Sequence, residues 1–181
     1  MKKLLIIIIS SLMLYACSSE TSFYDIVYRD MVRDSDVYED VTEVLAVIES
    51  DDAEIGLAML STKYDYDVLV LCSNMYDKKG AILTKSHGTT DPVAYRYEDD
   101  KRIWSQWITW GDDLDHEYDS ARDFDYHFGL IDGIVDDVKY DGKAVRSESV
   151  SFYYLDEDVS VTLWVLALEH DTDFDMSKLT Y

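Results

Sequence analysis

The sequence predicts an α+β chain that is mainly antiparallel β, a small sheet or β-sandwich, with two N-terminal amphipathic helices. Three observations predict it. From Glu54 onward, short runs rich in β-forming residues are separated by polar turn signals. Before that point, apolar residues recur at helical spacing. Nowhere do strands and helices alternate as a parallel sheet requires, so hairpins with helices on one face or end remain.

Ser22 opens the first helix, with Asp25 at capping-box spacing. Phe23, Val27 and Met31 form one apolar row, and Tyr24, Tyr28 and Val32 a second beside it. Asp34-Ser35-Asp36 breaks the pattern, and Asp36 with Glu39 repeats the capping signal. Val37, Val41, Val44, Leu45 and Ile48 then predict a second helix to about Glu49. Strands follow over 54–62, 67–73, 81–85, 93–98 and 102–110. Gly111 to Asp125 is acidic, lacks apolar periodicity and reads as a surface loop. Strand character resumes over 127–140 with a break at Asp132-Gly133, and Asp141-Gly142 is the strongest hairpin signal, because both positions tolerate positive φ. A last hairpin joins 146–155 to 160–169 around Asp156-Glu157-Asp158. Val161, Leu163, Val165 and Ala167 alternate with Thr162, Trp164, Leu166 and Leu168. That strand is apolar on both faces and should be central. Residues 171–181 read as a frayed tail.

The first residues carry a different signal. Met1-Lys2-Lys3 precedes an apolar run from Leu4 to Tyr15, broken only by Ser10 and Ser11. A short basic start, an apolar core and a small residue before the cut make a secretory signal peptide. Its end, Leu14-Tyr15-Ala16-Cys17, resembles the lipobox of bacterial lipoproteins, with Leu14, Ala16 and Cys17 matching and Tyr15 bulkier than usual. The resemblance covers residues 1–17. It implies acylation of Cys17, cleavage before it, and a protein held by lipid on the extracytoplasmic face of the cell membrane, or in the outer membrane of a Gram-negative host. The expected organisation is a signal peptide at 1–16, the lipidated Cys and a short linker at 17–22, one β-rich domain at 23–170 and the tail at 171–181. Roughly 165 residues remain after cleavage, enough for a single core without metal or disulfide support.

Charge narrows the partners. Sixteen basic residues against 38 acidic ones give −22. Such a surface repels phosphate backbones, so nucleic acid is not an expected partner. It repels anionic lipid as well, which leaves membrane attachment to the acyl chains. Of the two cysteines, Cys72 lies in an apolar run and reads as a small buried hydrophobe.

Motifs for chemistry are sparse. Asp112, Asp113, Asp115, Glu117 and Asp119 offer oxygen ligands on a loop, the raw material of a calcium site, yet the EF-hand pattern of Gly at six and Glu at twelve is unmet. His87, His116, His127 and His170 show no zinc-ligand spacing, so no metal is expected. There is no Gly-x-Ser-x-Gly elbow and no phosphate-binding glycine loop, and no cofactor is expected. Trp104, Trp107 and Trp110 recur every third residue, with Tyr95 and Tyr97 on the neighbouring strand. Exposed, they would make a surface for sugar rings or a protein partner; covered, they are core. The expectation is a lipid-anchored, non-enzymatic binding or accessory protein of the cell envelope, with an envelope protein or glycan as partner. The alternatives are an envelope hydrolase working through carboxylates and a structural envelope component.

Overall fold

The computed structural model describes residues 22–50, 52–76, 82–90, 103–104, 124–169 and 172–181. Eleven strands are described: β1 (Tyr38–Glu49), β2 (Ala53–Thr62), β3 (Asp67–Tyr76), β4 (Ile82–Thr90), β5 (Ile103–Trp104), β6 (Phe124–Asp132), β7 (Lys139–Tyr140), β8 (Lys143–Ala144), β9 (Arg146–Tyr154), β10 (Glu157–Glu169) and β11 (Leu179–Thr180). One antiparallel sheet has the order β1-β2-β3-β4, a second β5-β6-β10-β9, and a small third β11-β7-β8. The first two stack face to face. Ile55, Leu57, Leu69 and Leu71 from one meet Phe128, Leu130, Val161 and Leu163 from the other in a shared core. The chain is therefore a β-sandwich, the mainly antiparallel β fold that its alternating runs predict.

Each inner strand also buries its other face, which explains the apolar runs. On the outside of the first sheet, Ala58, Leu60, Val70 and Cys72 pack under α1 (Phe23–Val27) and the π turn Tyr28–Val32 that continues it. On the outside of the second, Ile131 and Trp164 pack under Val138, Tyr140, Val145 and Leu179. β10 lies between β6 and β9, central as its two apolar faces require.

The N-terminal helix starts as its sequence dictates. Ser22 Oγ accepts from the Asp25 amide at 3.2 Å, and the Asp25 carboxylate accepts from the Ser22 amide at 3.2 Å. Its two apolar rows part company. Phe23, Val27 and Met31 are buried, whereas Tyr24 and Tyr28 stack on each other at the surface, 6.2 Å apart. The wider π turn, closed by the Arg33 amide donating to the Tyr28 carbonyl at 2.9 Å, swings Val32 back to the buried side.

The second expected helix is a strand, β1. Its pairing with β2 slips by one residue between Tyr38 and Asp40, between Val41 and Glu43, and between Val44 and Ala46. Each slip is a bulge that adds one residue to β1. Tyr38, Val41, Val44 and Val47, opposite Thr62, Leu60, Ala58 and Gly56, thus all turn toward α1 at intervals of three. Three bulges in succession imitate helical periodicity, and the long hairpin with β2 decides the matter.

Three smaller expectations are corrected as well. The described part of the tail, 172–181, is packed and not frayed: Leu179 is buried and pairs with Tyr140, and Phe174 lies against the second sheet. β6 begins at Phe124, so Phe124 and Asp125 belong to a strand and not to the acidic loop. The last hairpin turns at Leu155-Asp156, both at positive φ (49° and 64°), which lets β10 begin at Glu157. Asp141 and Gly142 do turn as expected, at φ 50° and 75°.

Candidate functional site

At the end of the sandwich where β1 turns into β2 lies a cleft of about 460 Å³. The turn itself is built by Ser50. Its amide donates to the Ala53 carbonyl at 2.8 Å, and its Oγ accepts from the Ala53 amide at 3.1 Å. That turn leaves Ser50 and Asp52 facing the start of β6, where Tyr126 sits. The Tyr126 hydroxyl donates to Asp52 Oδ1, and Ser50 Oγ donates to the Tyr126 oxygen at 3.2 Å. From β9, Arg146 Nη1 donates to the Glu49 carbonyl at 2.6 Å. Ile48, Phe124, Val145, Val165 and Ala167 supply apolar walls.

The polar groups Ser50, Asp52 and Tyr126 of this cleft are tied to one another by hydrogen bonds. Burial, and then the hydrogen bond to Asp52, pushes the Tyr126 phenol up to about 12, so the proton stays on oxygen at physiological pH. Asp52 is the sole carboxylate of the described lining, so no pair of facing carboxylates lines it. Ser50 is engaged in its turn, and the described lining holds no imidazole.

Other titratable groups lie elsewhere. Cys72 is buried with Sγ 3.8 Å from Met31 Sδ, and burial pushes its thiol up to about 12, which suits packing and not reactivity. On the same sheet the Tyr76 hydroxyl donates to Glu54, and burial again raises its pKa. His127 is buried and stacks on Phe174 at 4.7 Å; Phe174 also stacks on Tyr140 at 5.4 Å and Trp164 at 6.0 Å. Burial holds the His127 pKa below its ordinary value of 6.5, against a smaller opposing pull from Asp125. The folded state therefore binds this proton less readily than the unfolded chain. The stability that neutral His127 carries is full above about pH 6.5 and is lost as pH falls below it. Replacing His127 with Phe, which keeps a ring against Phe174, should flatten the fall in urea midpoint between about pH 6.5 and 5. Equal slopes in the two proteins would show that His127 does not carry it.

Sequence reasoning pointed to other places. Trp104 lies in β5 opposite Leu130. Trp107, Trp110, Asp112, Asp113, Asp115, Glu117 and Asp119 lie outside the described residues, as do Leu14, Ala16 and Cys17. Among the described residues no three His, Cys, Asp or Glu side chains are grouped to hold a metal ion, and no helix is long and apolar enough to cross a membrane. The cleft residues carry no motif. Ser50 and Tyr126 are 76 positions apart, Asp52 and Tyr126 74, and Arg146 and Glu49 97. The only local trace is the turn signal around Ser50. No family model, curated protein or solved structure matches the chain.

Proposed function

We propose that this chain is a lipid-anchored, non-enzymatic binding protein of a bacterial cell envelope, with the cleft between Ser50 and Arg146 as its binding site. The observation that carries the binding role is the cleft itself, an apolar concavity with a few fixed polar groups, of the size small-molecule sites have. Its tyrosine keeps its proton and its serine is spent on a turn, so the residues there are suited to holding a ligand.

The anchor rests on Leu14-Tyr15-Ala16-Cys17. Acyl chains on Cys17 would confine the domain to a thin layer on the extracytoplasmic side of the membrane and raise its effective concentration for a neighbouring envelope protein or glycan. The domain would reach its ligand there without the surface adhering to anionic lipid, given a net charge of −22.

Cys17→Ala tests the anchor. Wild-type chain should incorporate labelled fatty acid and sediment with membranes, and the variant should do neither at mature length. A variant still cut to mature length and still sedimenting with membranes would sink the lipoprotein reading.

A further inference from the structure

We infer that the cleft takes a small zwitterion with an apolar side chain, a free amino acid or a dipeptide. This rests on the cleft being the binding site and adds the class of ligand.

Two opposite charges line the cleft without neutralising each other. Arg146 and Asp52 make no ion pair, and each is held by another group. Arg146 Nη1 is bound to the Glu49 carbonyl, and Asp52 Oδ1 accepts from the Tyr126 hydroxyl. The rest of the guanidinium fork and Asp52 Oδ2 have no partner among the described residues. A carboxylate matches the planar fork with two parallel hydrogen bonds. An ammonium, which only donates, complements the open carboxylate oxygen.

The apolar walls settle the remainder of the ligand. The exposed Phe124, with the small open parts of Ile48, Val145 and Val165, offers a surface for an aliphatic or aromatic side chain, which a plain polar zwitterion would leave unused. A fatty acid would satisfy Arg146 and the walls, yet would leave the open Asp52 oxygen unused. An amine without a carboxylate would do the same to Arg146. An amphipathic zwitterion alone answers all three surfaces.

The test uses the full-length chain in detergent, with methyl resonances of Ile48, Val145 and Val165 as the readout. Leucine or the dipeptide Leu-Leu should shift them saturably, and the tighter of the two identifies the source of the shared chemistry. N-acetylleucine and leucinamide, each lacking one charge, should bind at least tenfold more weakly, as should the Arg146→Ala and Asp52→Asn variants to leucine. Circular dichroism confirms that the variants fold. Should Arg146→Ala unfold for want of its bond to Glu49, Arg146→Lys takes its place and should still weaken binding, since it keeps the charge without the fork. If N-acetylleucine, leucinamide or 3-methylbutanol binds as tightly as leucine, the ligand class is wrong while the cleft stands as a site. If none of these five compounds moves the methyl resonances of the three residues, the binding site and its ligand class both fall.

Discussion

Trp164→Ala should lower the stability of the fold by about 3–5 kcal/mol, the range for removing a buried aromatic from a core. Trp164 is 1% exposed on the outer face of β10 and stacks on Phe174, which in turn covers His127 and Tyr140. Its loss opens a cavity beneath the small sheet and removes the floor on which residues 174–179 rest. Urea denaturation measures the loss, and limited proteolysis should find the C-terminal segment cut before the rest. Phe174→Ala should cost less, because Phe174 is only partly buried. The double variant should fall short of the sum, since the two rings share one contact. A shift of about 0.5 kcal/mol or less in Trp164→Ala, the size of a surface change, would overturn this account.

Gly56→Val should destabilise by about 3 kcal/mol, the upper part of the range for overpacking a filled core. A Cβ at this position would stand 2.5 Å from Cζ and 2.6 Å from Cε1 of Phe23, and 3.0 Å from the Ala46 carbonyl oxygen. The first contact can be relieved only by moving a ring that anchors α1 to the sheet. The third involves backbone and has nowhere to go. Phe23→Ala in the same chain should recover part of the loss, which separates the clash from any intrinsic effect on the strand. Two variants whose costs simply add would show that Phe23 is not the obstacle. The absent side chain at Gly56 thus leaves room for the Phe23 ring.

How far the fold could be read in advance varies by element, for identifiable reasons. β2, β3, β9 and β10 are legible because they are short runs rich in β-forming residues whose ends carry turn residues; Asp141-Gly142 even sets its own turn. The start of α1 is legible because Ser22 and Asp25 act on each other three residues apart. β1 is misread because three bulges stretch its period from two residues to three. The tail is misread because its ordering comes from Trp164, Tyr140 and His127, all distant in sequence. The Trp104 row and the acidic run from Asp112 draw attention by composition, whereas the cleft draws none. Its Ser50, Asp52, Tyr126 and Arg146 are common residues in unremarkable neighbourhoods.

The sequence by itself determines the predominance of antiparallel strands, the centrality of β10, the burial of Cys72 and an acidic surface. These follow from local alternation, turn chemistry and net charge, which act over a few residues or over the whole composition. Only the tertiary structure decides that Val41 to Ile48 lie in a strand, that Phe174 and Leu179 pack against the second sheet, and that Asp52, Tyr126 and Arg146 line one cleft. Those outcomes depend on pairings across tens of residues, where β2 imposes its register on β1 and the stacking of two sheets brings separate turns to one end.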